Sequence, residues 1–201
     1  MTARLLIAGF LFVPGLAVVR GFAGASVNFT LKDASGTEHT SAELARHKAI
    51  VFMFVATDCP NSNTYAPVLA RLYRDYSPRG VAFFNVYSDP SESAGEVRKH
   101  DADFLTPFAA LMDPQQTLAR QTGARSTPEV VILDSNGKQR YRGRIDNRFV
   151  DFGRTRYQAT ENDLQNALES ILRGQPVANP VTKTLGCAIP GLEQAGLDEQ
   201  K

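Results

Sequence analysis

Cysteine is scarce in this chain: there are two, Cys59 and Cys187, among 201 residues. Two are too few for a disulfide-dense scaffold, and a chain of this length does not need one. No C-x-x-C-H occurs, which excludes covalently attached c-type haem. Histidine is sparse as well. His39, His47 and His100 lie apart in polar segments, and none stands at metal-ligand spacing from a cysteine, so no metal and no cofactor is expected. An excess of one charge is also missing. The 22 basic and 21 acidic residues leave a net charge of +1, with no basic block, so nucleic acid is not an expected partner. There is no internal repeat or low-complexity segment. After the first 25 residues no apolar run is long enough to span a membrane.

The N-terminus holds the one long apolar run. Residues 1–25 have a basic start at Arg4, an apolar core from Leu5 to Val19 and small residues at Ala23 and Ala25. That is the pattern of a secretory signal peptide cleaved after Ala25. The run contains Pro14 and Gly15 and is short for a membrane span. An uncleaved anchor is the alternative. The expectation is export to the periplasm or the extracellular space, with no stable membrane insertion after cleavage. In such a compartment a disulfide can persist.

Hydrophobic residues make up 43% of the chain, enough for one packed domain. Residues 26–173 are expected to form it, followed by an extended tail, 174–201, that carries Cys187. Residues 26–33 alternate as a strand, closed by a turn at Ala34-Ser35-Gly36. Thr40 or Ser41 caps a short helix. Residues 49–56 are almost continuously apolar, as in a strand covered on both faces. Asn61 to Tyr76 reads as a helix with Pro67 inside it, and Val81 to Tyr87 as a second buried strand. A polar helical crossover covers 90–100, and a short strand lies within 107–113. Pro114 is placed at the first position of a helix that Gly123 ends. Glu129 to Asp134 and Gln139 to Ile145 form a hairpin around Asn136-Gly137. Thr160 caps the last helix, whose apolar face includes Leu164, Leu168 and Ile171. This order implies an α/β fold: a mixed central sheet of about five strands with helices on both faces.

Cys59 sits where the first buried strand meets a helix. Unpaired backbone N–H groups and the positive end of the helix dipole favour an anion there. A thiolate at that point is stabilised and its pKa falls. Pro60 fits the first turn without losing a hydrogen bond.

Three features together resemble the thioredoxin superfamily, and within it the exported redoxins of the alkyl hydroperoxide reductase/thiol-specific antioxidant (AhpC/TSA) type. They are Cys59 between strand and helix, Ala66-Pro67 where thioredoxins kink that helix, and Thr127-Pro128 before an apolar strand and hairpin. The resemblance runs from about Asn28 to Arg173 and implies a thioredoxin-like fold. It also implies a cis bond at Pro128, with the Thr127 backbone free to pair with an extended substrate, and so makes Pro60, Thr127 and Pro128 substrate-binding positions. The departures are specific. Cys59-Pro60-Asn61-Ser62 replaces C-x-x-C, so Ser62 can hydrogen-bond a thiolate but cannot close a disulfide. Met53 stands where thioredoxins bury an acid. Phe52 and Ala56 stand where peroxiredoxins carry Pro and Thr.

Cys187 is open to three readings: a resolving cysteine on a flexible tail freed by Gly186, half of a permanent structural disulfide, or a free thiol. The principal functional expectation is thiol–disulfide exchange, with Cys59 as nucleophile and protein or small-molecule thiols and disulfides as partners. A thiol peroxidase acting on hydroperoxides is one alternative. A non-enzymatic binding module locked by Cys59–Cys187 is another. Arg140, Arg142, Arg144 and Arg148 read as a solvated strand face, with a positive substrate-facing surface as the alternative.

Overall fold

All seven side chains of Ala49–Val55 are buried. Such a strand needs neighbours on both edges and cover on both faces. The computed structural model supplies them, describing residues 26–151 and 153–192. The expected signal peptide lies outside the described residues.

In chain order the elements are β1 (Thr30–Lys32), β2 (Glu38–Thr40), a 3₁₀ turn (Ser41–Arg46), β3 (Ala49–Val55), α1 (Pro60–Tyr76) and β4 (Val81–Tyr87). There follow α2 (Ala94–Asp103), β5 (Ala110–Met112), α3 (Thr117–Thr122), β6 (Ser126–Thr127), β7 (Glu129–Asp134) and β8 (Gln139–Gly143). The remainder are β9 (Phe149–Asp151), β10 (Arg154–Thr155), α4 (Asp163–Leu172) and β11 (Cys187–Ala188). The main sheet runs β5-β4-β3-β7-β8. β3, β4 and β5 are parallel, and β7 and β8 are antiparallel additions. This is the mixed five-stranded sheet expected from the element order, and the thioredoxin-like fold that the resemblance implies.

Alternation along β3 splits the interior in two. Val51, Met53 and Val55 face a core built with Tyr65, Leu69 and Leu72 of α1 and Leu164 and Leu168 of α4. Ile50, Phe52 and Phe54 face a second core with Phe29, Leu118 and, from the tail, Ile189 and Leu192. Ile189 and Leu192 of the tail thus help close one of the two cores.

Several boundaries differ from the sequence reading, each for a local reason. The first strand is only β1, and it pairs back on β2 as a hairpin. Thr40 is the cap of the short helix, in a reciprocal capping box with Glu43, but the segment winds as 3₁₀. The crossover helix starts later than Pro90, at the capping box of Ser93 and Glu96. Pro114 does not open α3. The buried Asp113 carboxylate does, accepting from the Thr117 hydroxyl and from the N–H groups of Leu118 and Ala119. Thr160 does not cap α4, which begins at Asp163 with Asn162 before it. Thr160 instead pairs with Asn147, and Asp163 pairs with Arg144.

Glu169 on α4 accepts from Arg79 and from the Tyr76 hydroxyl, which ties α4 to the end of α1. The Arg79 hydrogen bond, then that of Tyr76, holds its carboxyl down at about 2. A carboxylate with a depressed folded pKa adds stability above its unfolded pKa. That stability is lost as pH falls through the folded value. Glu169→Gln should therefore flatten the loss of stability between about pH 5 and pH 2. Urea midpoints across that range test this, and an unchanged acid limb would refute it.

Candidate active site

β3 delivers the chain to Cys59, which is the N-cap of α1 with extended backbone angles (φ −87°, ψ 106°). Its N–H donates to the Ala56 carbonyl at 3.3 Å, and its carbonyl accepts from Asn63 N–H at 3.1 Å. Pro60 is the first helical residue, where a missing N–H costs nothing. Cys59 is 0% exposed. The thiol donates to the Thr127 carbonyl at 3.2 Å, from the loop in which Thr127-Pro128 is cis. Cys59, Thr127 and Pro128, far apart in sequence, therefore meet. Met53, at the usual position of the acid, points into the α1 core and is buried.

Two hydroxyls flank the sulfur. Ser62 Oγ and Thr127 Oγ1 are both buried, and neither has a hydrogen-bond partner. Buried polar atoms of this kind are costly unless something accepts from them. A Cys59 thiolate is that acceptor. Burial by itself pushes the Cys59 thiol up. Hydrogen bonds from Cys187, the Ser62 side chain, the Thr127 side chain and the Ser62 N–H more than offset it, so the net shift is downward.

Cys187 lies on β11, which pairs antiparallel with β6: Cys187 sits opposite Thr127, and Ala188 opposite Ser126. The two sulfurs are 2.8 Å apart, both as thiols. A disulfide needs about 2.05 Å, so bond formation asks for a movement of less than about 1 Å. Cys187 is exposed while Cys59 is buried. Its pKa is pushed well above the ordinary thiol value, by burial of part of its surface, by its hydrogen bond to Cys59 and by the Cys59 and Asp58 charges.

The expectation of a flexible tail is corrected here. Upstream of Cys187, Thr182 is held by Arg142 and Tyr141, and Thr184 Oγ1 by Ser126 Oγ. Downstream, Ile189 N–H donates to the Arg125 carbonyl, and Gln116 binds the Pro190 carbonyl. Gly186 is also reassigned. It does not free the tail. A Cβ there would lie 2.0 Å from the Thr127 carbonyl oxygen, so glycine is what lets the strand lie against that loop. The Thr127 backbone expected to be free for substrate is thus already paired.

Three groups escaped the sequence reading. Glu92 Oε1 accepts from Thr57 N–H at 2.6 Å, just before Cys59, and burial raises its pKa. Asn63 binds His100 at 2.8 Å, and His100 and Asp101 both meet the Tyr87 hydroxyl at 2.9 Å. Burial lowers the His100 pKa and keeps the ring neutral. The buried Glu129 carboxylate holds the N–H groups of Arg125 and Ser126 and so shapes the Thr127 loop. A charged residue opening an otherwise apolar strand was its one sequence signal. The four arginines have local partners: Arg140 with Asp134, Arg142 with Glu129, Arg144 with Asp163, and Arg148 over the Tyr65 ring. Among the described residues, no group of three or more His, Cys, Asp or Glu side chains could hold a metal ion. No described helix is long and apolar enough to cross a membrane.

Comparison with known proteins gives one family. The model of the AhpC/TSA family matches residues 24–142. The thiol-disulfide oxidoreductase ResA of Halalkalibacterium halodurans is 25% identical over 133 residues, covering 65% of this chain and 74% of that protein. The crystal structure of an uncharacterized conserved protein from Geobacillus kaustophilus is similar at a TM-score of 0.73 and 28% identity, covering 89% of this chain and 97% of its own. A secreted disulfide oxidoreductase of Mycobacterium tuberculosis shares the fold at a TM-score of 0.51 and 18% identity, over 73% of this chain and 95% of its own.

Gly186→Ala should lift β11 off the Thr127 loop, since overpacking of this kind costs about 1–3 kcal/mol. Alkylation of reduced Cys59 should then accelerate about tenfold or more through local opening. Timed alkylation with peptide mass spectrometry measures it. An unchanged rate would mean that the strand is not what shields Cys59.

Proposed function

Since the chain belongs to the AhpC/TSA family, we propose that it is an exported thiol–disulfide oxidoreductase whose redox pair is Cys59 and Cys187. The observation that carries this reading is the 2.8 Å approach of the two sulfurs, with their pKa values moved in opposite directions. The surroundings favour the thiolate of one member and the thiol of the other, which is the poise that exchange chemistry needs. The name of the ResA relative and the family match support it.

The roles follow from position. Cys59 is the low-pKa sulfur. Ser62 and Thr127 steady its anion, and Pro60 and Pro128 shape the two walls around it. Oxidation joins Cys59 Sγ to Cys187 Sγ and passes two electrons and two protons to a partner disulfide, which leaves as two thiols. An extended substrate pairs with Thr127 only after β11 has left that edge. Residues 26–192 act as one redox unit in this reading, the tail included. Export is inferred from the basic, apolar and small-residue pattern of residues 1–25.

A hydroperoxide reaction finds less in this site. Phe52 packs in the second core, and neither it nor Ala56 offers a group to bind peroxide oxygens. Thiol counting by mass spectrometry tests the proposal. The reduced chain should show two alkylatable thiols on denaturation, and none after exposure to a small-molecule disulfide, with mild reductant restoring both. Cys59→Ser should form no disulfide within the chain, leaving Cys187 free when reduced and joined to the probe as a mixed disulfide after exposure, and should lose disulfide-reducing turnover by about 100-fold or more. A disulfide that resists strong reductant would support the structural-module reading. Rapid peroxide consumption by the purified protein would support the peroxidase.

A further inference from the structure

The two sulfurs are unequally reachable. Cys59 is 0% exposed, while Cys187 is exposed. Behind Cys59 lie Ser62 and Thr127, both buried, and the first turn of α1. Thiol–disulfide exchange needs the incoming thiolate to approach one sulfur along the S–S axis, opposite the sulfur that leaves. A buried Cys59 is closed to an external thiolate, whereas the exposed Cys187 is open to one.

The backbone edge is unequal too. In the expected arrangement an extended polypeptide would pair with Thr127 and bring its own disulfide to Cys59. β11 already makes that pairing, with Cys187 opposite Thr127. Gly186 lies so close to the Thr127 carbonyl that no second strand fits between them.

We infer that external thiols enter the cycle at Cys187, and that Cys59 is the leaving sulfur of that first step. This rests on the Cys59–Cys187 redox pair proposed above. The partner class is a small thiol, or a cysteine displayed at a protein surface, able to reach an exposed sulfur without strand addition. In the reducing direction, the partner thiolate forms a bond to Cys187 Sγ. The Cys187–Cys59 bond breaks, and its electron pair stays on Cys59 as the thiolate. A second partner thiolate then attacks the partner sulfur of the mixed disulfide. Cys187 leaves and takes up a proton. The sum is two partner thiols oxidised to one disulfide and one protein disulfide reduced to two thiols.

The asymmetry suits this order, because a sulfur with a lowered pKa leaves faster. Ser62 and Thr127 offer the departing Cys59 anion hydroxyls that are otherwise unpartnered. Among the described residues, no hydroxyl stands in this way toward Cys187 Sγ.

The test uses the oxidised wild-type chain and 2-mercaptoethanol, a small probe with no charge beyond that of its attacking thiolate. Samples are acid-quenched from milliseconds onward, the free thiol is capped at low pH, and peptides are mapped. The expected result is mercaptoethanol on Cys187 and the cap on Cys59, favoured about tenfold or more at the earliest times. Mercaptoethanol first on Cys59, or equally on both, overturns the inference while leaving the redox pair intact. A chain that never forms the Cys59–Cys187 disulfide overturns the redox pair itself, and the inference with it.

Discussion

The site depends on one short backbone pairing, β11 on β6, which sets Cys187 opposite Thr127 at the N-terminus of α1. Without it Cys59 would be a single thiol at a helix end, with Ser62 where a second cysteine usually stands. With it, a sulfur from the far end of the chain reaches the place that C-x-x-C fills within one turn. The pairing is short, so its neighbours must hold it. Ile189 and Leu192 do so from the second core, and the Thr182 and Thr184 hydrogen bonds do so from the other side. The tail is thus a structural member whose chemistry lies at its middle.

The proton on Cys59 decides which groups around it are satisfied. As a thiol, Cys59 donates to the Thr127 carbonyl, and the hydroxyls of Ser62 and Thr127 stay unpartnered. As a thiolate it can no longer donate, but it accepts from both hydroxyls, from Cys187 and from the helix N-terminus. A thiol whose folded pKa is depressed stabilises the folded reduced chain above its unfolded pKa. That stability is lost as pH falls through the folded value. Stabilising the reduced form makes the disulfide the better oxidant. The raised Cys187 pKa keeps the partner protonated, so the pair carries at most one negative charge in a half-buried space.

Much of the frame was legible because it rests on repeating patterns. β3 announces itself by an unbroken apolar run and β4 by one interrupted only at Asn85, α1 by its tyrosine and leucine stripe, and the β7–β8 hairpin by Asn136-Gly137. The Cys59 junction follows from the same strand-to-helix change. What stayed hidden was contact between distant segments. Periodicity is silent about a two-residue strand such as β11, and nothing local distinguishes a glycine that frees a chain from one that lets two backbones touch. Gly186 was assigned the first role and has the second. Asp113 was passed over for Pro114 as the start of α3, because side-chain capping by a buried carboxylate leaves no trace in composition. Glu92 and His100 fell within a segment read only as a polar crossover. Their half-burial comes from contacts with distant residues, Glu92 with Thr57 and His100 with Asn63 and Tyr87.

The contact that brings the two sulfurs of the proposed redox pair together also occupies the edge beside Thr127. A thioredoxin-like fold normally leaves the edge beside its cis-proline available, so that a substrate backbone contributes binding energy through ladder hydrogen bonds. Here the chain's own strand takes those bonds. Binding energy for an external protein must come from elsewhere on the surface, or be small. Selectivity then shifts from recognition of an extended backbone towards access to one exposed sulfur. Ser62 fits this arrangement. A cysteine there would compete with Cys187 for Cys59 and could oxidise without the tail, whereas in the proposed cycle serine can donate to a Cys59 thiolate and leaves Cys187 as the second sulfur.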